Sequence, residues 1–239
     1  QEIYSLKTYI RALDTVLEEG FKKGLVGIKW HKLAYLRDIH YPIGDAQAAE
    51  RCLARILRMP ARGGIGADTP VGFDEMHPFQ DFIQHYLVQR AIEMDWPVQI
   101  HTGTLGGSHG AQVSYTNPTH LVDLFLQYPQ ARFDLLHVSY PYTGELTALV
   151  KLFPNVYINT AWFEVLSPRI AKRCLREWVT TIPTNKIFAF GGDQKSVFHS
   201  CAYSEMVRDN LSEILADEVA EGVMSEEHAL DIATSMLRE

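Results

Sequence analysis

The sequence predicts an α/β protein whose parallel strands are covered by helices. Short runs rich in β-branched and aromatic residues alternate along the chain with amphipathic segments of helical period. Those runs are mostly apolar, as in strands buried on both faces of a parallel sheet. Only five of them can be counted, and five strands at barrel tilt cannot close; they would leave two edges unpaired. Two architectures remain: an open sheet, or a (β/α)8 TIM-barrel type lacking about three strand–helix units that would precede Gln1. The second is the expectation, with residues 1–239 as one partial barrel domain.

The elements follow in order. Ser5 caps a helix with Leu6, Ile10, Leu13 and Leu17 on one face, and Gly20 ends it. A strand, Leu25–Trp30, comes next. Asp45 caps a second helix, to about Met59, and Pro78 opens a third that ends near Met94. Strand Val98–His101 follows, then a helix whose first position is Pro118. Strand Phe133–His137 precedes a helix from Thr143, and strand Asn155–Thr160 precedes one from Ser167-Pro168. Strand Lys186–Phe190 leads to a long helix over roughly 202–221, and Ser225 caps a last helix carrying Ala229, Ile232, Ala233 and Met236.

Composition narrows the class of partner. The net charge of −7 is spread along the chain without a Lys/Arg block, which argues against nucleic acid or an anionic membrane surface. No apolar run reaches the roughly 18 residues needed to span a bilayer. Cys52, Cys174 and Cys201 lie far apart and read as buried free thiols in a reducing compartment, the cytoplasm. A small-molecule substrate remains as the partner, with a homo-oligomer open.

In parallel α/β folds, reactive groups gather where strands end, because the strand–helix loops open there. Four of the five strands end in residues able to bind metal or move protons: Lys29, His101, His137 and Asp193. Alternation puts Lys29 and His31 on one face with Trp30 on the other, pairs Gln99 with His101, and pairs Leu135 with His137. Such a set at successive strand ends is hard to assign to packing. The glycine-rich segment 102–110 permits a flexible or close-approaching backbone and suits a mobile lid, with His109 as a substrate contact. The loop from Pro60 to Glu75 should lie over the mouth, with Arg62 to bind a substrate carboxylate. Trp162 and Tyr140, just beyond strand ends, are candidates to line the pocket. The other histidines (His40, His77, His85, His120, His199 and His228) read as surface or cap residues.

The runs Gly27-Ile-Lys-Trp30, Val98-Gln-Ile-His-Thr-Gly103, Leu135-Leu-His-Val-Ser-Tyr-Pro141 and Phe190-Gly-Gly-Asp193 resemble, in order and spacing, the amidohydrolase superfamily. The branch they resemble is the amidohydrolase-related (amidohydrolase 2) group, with its nodulin- and fluffy-type domains and carboxymuconate-semialdehyde decarboxylases. The resemblance implies a divalent metal, usually zinc (Zn2+), held by a His-x-His pair on the first strand, by His101 and by Asp193. His137 is then a ligand or a group that polarises the substrate, and Lys29 a metal-bridging carbamate or a substrate contact. No His-x-His occurs in this sequence, in keeping with the missing first strands.

In that scheme Asp193 takes a proton from an activated water and returns it to the leaving group, while His137 polarises the substrate carbonyl. His31, Arg62 and His109 are the candidate substrate contacts. The expected activity is metal-dependent hydrolysis of a small polar substrate: an amide, a lactone or a carboxylate-bearing compound. Non-oxidative decarboxylation by the same metal, or a scaffold barrel with a degraded site, are the alternatives.

Overall fold

Five parallel strands pair in chain order: β1 (Ile28–Trp30), β2 (Pro97–His101), β3 (Arg132–Leu136), β4 (Val156–Asn159) and β5 (Ile187–Phe188). The computed structural model describes residues 2–31, 36–58, 73–106 and 112–237. Among them β1 and β5 are the two ends of the sheet. Lys29 pairs in register with Gln99, and Gln99 with Asp134; likewise Ile100 pairs with Leu135, and Leu135 with Ile158.

This register gives the sheet two different faces. Val98, Ile100, Phe133, Leu135, Val156 and Ile158 are almost wholly buried in the main core. Each contributes about 1.5–3 kcal/mol of burial. The other face carries Lys29, Gln99 and Asp134, and its side chains bond to one another: Gln99 Nε2 and Asn159 Nδ2 both donate to Asp134 Oδ2, at 2.7 and 3.0 Å.

The helices are α1 (Leu6–Lys22), α2 (Ala46–Leu57), α3 (His77–Glu93), α4 (Val122–Gln127), α5 (Thr143–Leu152), α6 (Phe163–Leu166), α7 (Pro168–Thr181), α8 (Val197–Ala220) and α9 (Glu226–Leu237). Ser5 and Thr8 form a capping box at α1, and both Asp45 oxygens accept from the first turn of α2. Gly20 does not end α1. The helix runs on to Lys22, and the left-handed residue is Gly24 (φ 92°). Gly20 makes room instead: a Cβ there would lie 2.9 Å from Leu25 Cδ2.

Other boundaries also move. Pro118 opens a short 3-10 turn, Pro118–Leu121, before α4. β1 is shorter than expected, because Val26 lies outside the ladder with 75% of its surface exposed. α8 begins about a turn before the expected start near residue 202, and its first residues explain why. Val197 and Phe198 face solvent, so that turn carries no core-facing period.

Two readings of single residues change. His85 is buried, with ring nitrogens 2.9 Å from Tyr128 Oη and 3.0 Å from the Tyr41 carbonyl, so it is a core group and not a surface one. Cys52 and Cys174 are buried free thiols, whereas Cys201 is exposed. Among the described residues no helix is long and apolar enough to cross a membrane.

Candidate active site

The ends of β2 and β3 are fastened together. Thr102 Oγ1 donates to the Leu136 carbonyl at 2.8 Å and lies 2.8 Å from Ser139 Oγ. The Thr104 N–H donates to the Tyr140 carbonyl at 2.6 Å. Gly103 sits between them at φ 69°, where a Cβ would fall 2.3 Å from the Ser139 backbone. Only glycine fits such a contact in that conformation.

Alternation along β3 would place His137 on the face of Leu135, against the helices. The chain leaves the strand first. His137, Val138 and Ser139 all have positive φ (62°, 47° and 54°), which turns the imidazole toward His101. Left-handed backbone costs about 1–2 kcal/mol per residue for side chains with a Cβ. The turn is held by the Tyr140 N–H on the His137 carbonyl (3.0 Å) and the Tyr142 N–H on the Ser139 carbonyl (2.7 Å). Strain gathered in this way is a mark of functional sites.

The result is a row of groups along successive strand ends. Ring centroids of His31 and His101 are 4.9 Å apart, and those of His101 and His137 4.3 Å. Beyond them, His137 Nε2 faces Asp193 Oδ2 at 3.6 Å. Asp193 (φ 41°) is reached through Gly191 and Gly192. A Cβ on Gly191 would lie 2.7 Å from Ala161 Cβ, and one on Gly192 2.5 Å from Ser200 Oγ. The Gly-Gly run therefore lets the chain pass between the turn after β4 and the first turn of α8. Lys29 stands in register beside Gln99 on the polar face, and it is exposed. Arg62 and His109, with most of the loop from Pro60 to Glu75, lie outside the described residues.

His137 Nδ1 lies 2.8 Å from the Ala161 carbonyl, which can only accept, so Nδ1 carries the proton and Nε2 the lone pair. That Nε2 is buried and makes no hydrogen bond. It faces a carboxylate across a distance too long for a hydrogen bond. Two electron-rich atoms so placed, one of them desolvated, fit a cation between them. His101 Nε2 is 3.4 Å from the Thr104 carbonyl, a long contact of the kind that orients a ligating imidazole from outside.

Electrostatics favours neutral imidazoles. Burial pushes the His101 pKa down to about 3, and the charges of His137, His31 and Lys29 add to the effect. Burial also lowers the pKa of His137, against the Ala161 carbonyl and the Asp193 carboxylate. Neutral imidazole is the form that ligates metal. Beneath them, burial raises the Asp134 pKa, opposed by Asn159, Gln99 and Lys29. Even so, among the described residues no three His, Cys, Asp or Glu side chains gather closely enough to enclose a metal ion. In donor chemistry His137 Nε2 and Asp193 Oδ2, 3.6 Å apart, fit a divalent cation, with the His101 ring beside them.

Two features of the site stand outside the sequence expectations. One is the Asp134–Gln99–Asn159 layer; a charged residue inside an otherwise apolar strand was the available signal. The other is the Ala161 carbonyl, and a backbone acceptor leaves no signal in side-chain identity.

Comparison with known proteins gives the fold and the family. The chain is 32% identical over 194 residues to protein fluG of Emericella nidulans, and spans 79% of its own length but 22% of that protein. Its fold matches a protein from Lactobacillus casei described as a metal-dependent hydrolase (TM-score 0.78, 18% identity), covering 99% of this chain and 59% of that one. It matches uronate isomerase of Thermotoga maritima (TM-score 0.79, 16% identity, 99% of this chain and 53% of that one). Glucuronate isomerase of Caulobacter crescentus is a third match (TM-score 0.73, 20% identity, 100% and 50%). The sequence profile of the amidohydrolase family matches residues 39–199, which hold His101, His137 and Asp193, and the chain belongs to that family.

Proposed function

We propose that this chain carries the catalytic face of a metal-dependent hydrolase that acts on a small polar substrate: an amide, a lactone or a carboxylate-bearing compound. The observation that carries the reading is the buried lone pair of His137 Nε2 turned toward the Asp193 carboxylate at 3.6 Å. His101, His137 and Asp193 would hold the cation, and zinc suits a set of imidazole and carboxylate donors. When bound, such a cation supplies Lewis acidity toward a water molecule and a substrate carbonyl.

The chain's own groups do the rest. Asp193, its side chain 45% exposed, accepts a proton from the attacking water and delivers it to the leaving group. The Ala161 carbonyl holds the tautomer of His137, so that Nε2 always presents its lone pair to the site. Lys29, exposed on the polar face beside Gln99, offers a positive charge to an anionic part of the substrate. The free edges of β1 and β5 would be joined by about three further strand–helix units to close a (β/α)8 barrel. Coverage of only half to three-fifths of the solved neighbours supports that closure.

Fold does not choose the reaction, since uronate isomerases share it. The test is turnover of full-length protein in 18O-labelled water, before and after chelation. Hydrolysis predicts loss of turnover on chelation, recovery with Zn2+, and one labelled oxygen in the product. Turnover that survives chelation, product without label, or released CO2 would contradict it.

A further inference from the structure

Among the described strands β4 alone ends in none of the candidate groups Lys29, His101, His137 and Asp193, yet the turn after it bonds to the segments on both sides. The Thr160 N–H donates to the Phe188 carbonyl and the Trp162 N–H to the Gly191 carbonyl, each at 3.0 Å. Asn159 Oδ1 accepts from the Ala161 N–H at 3.0 Å, and the Ala161 carbonyl accepts from His137. Trp162 ends the turn in the left-handed region (φ 68°, ψ 3°), a conformation that aromatic residues seldom take.

That conformation sends the indole across the site. Its centroid lies 6.2 Å from the His137 ring, edge to face at 78°. The far edge of its six-membered ring meets Gly106 in the loop after β2: a Cβ there would fall 2.7 Å from Cη2 and 3.1 Å from Cζ3. The indole thus stands between the His137 imidazole and the loop after His101. It is partly exposed, whereas Trp30, Trp96 and Trp178 are buried. The edge it turns toward the loop consists of carbon atoms alone.

We infer that Trp162 is the specificity-determining wall of the site. Its bulk sets the width between His137 and the loop after β2, and its carbon face takes the apolar, non-reacting part of the substrate. The inference rests on the hydrolase reading above, and a binding experiment separates the two. Trimming one side of an apolar pocket shifts discrimination between substrates of different size by about tenfold or more. In a Trp162→Ala variant of the full-length protein, the kcat/KM ratio of 4-nitrophenyl phenylacetate to 4-nitrophenyl acetate should rise by about tenfold or more. Trp162→Phe, which keeps a ring, should shift it less. Gly106→Ala should move it in the same direction as Trp162→Ala by lifting the loop off the indole, with no change to His101, His137 or Asp193.

Independently of turnover, phenylacetate should quench tryptophan emission in the wild type and not in Trp162→Phe, while acetate should quench neither. Esters left intact by the wild type would mean that these two esters are not substrates, and the quenching experiment would still decide on the wall. An unchanged ratio across the three variants, or equal quenching in wild type and Trp162→Phe, would overturn the inference, whatever the protein's reaction.

Discussion

Asp193 and Glu164 carry opposite chemical burdens, and single substitutions separate them. Asp193 is half-exposed and faces the His137 lone pair. Asp193→Asn keeps its volume but cannot accept a proton, so kcat should fall by about a hundredfold or more, with the melting temperature little changed. Activity within about tenfold of wild type would point to another base, His137 first. Glu164, in α6, is almost fully buried, and one of its oxygens has no hydrogen-bond partner. Burial pushes its pKa up from 4.5 to about 7. The folded state therefore holds this proton more tightly than the unfolded chain. The stability gained from it is complete below about pH 4.5 and is lost as pH rises through about 7. The loss amounts to about 3 kcal/mol at most. Glu164→Gln should remove that fall and be more stable than wild type at pH 8. Urea midpoints at pH 5 and 8 that drop in parallel for the two proteins would show that Glu164 is not the source.

At the scale of elements, turns do more for the site than strands do. Gly103 joins β2 to the turn after β3 with positive φ and no room for a Cβ. Gly103→Ala should cost about 2 kcal/mol or more and separate His101 from His137. A thermal melt within a degree or two of wild type would contradict that. These turns also mark how far the sequence could be read. The strand–helix order was legible because apolar runs and helical caps are local signals: Ser5, Asp45 and Ser167 all cap where expected. Placement of candidate groups at strand ends was legible from topology alone. The inward turn of His137 was not, because three successive left-handed residues follow from tertiary contacts and override alternation. His85 was misread for a similar reason: its two partners lie more than forty residues away in the chain.

Taken whole, the described residues form a sheet with one face closed by helices and one face that carries a layer of polar groups. Lys29, Gln99, Asp134 and Asn159 lie beneath His101 and His137 on that second face, and β1 and β5 end it. A layer of this kind is costly unless its members are hydrogen-bonded. Here Asp134 accepts from both Gln99 and Asn159, and the layer lies below the imidazoles and carboxylate that are proposed to hold a cation. The decisive measurement is an anomalous-difference map at the zinc edge from crystals of the full-length protein grown with Zn2+. The account predicts one peak bonded to His137 Nε2 and Asp193 Oδ2, with His101 as a further ligand. A map with no peak there, or with zinc bound only elsewhere, would contradict it.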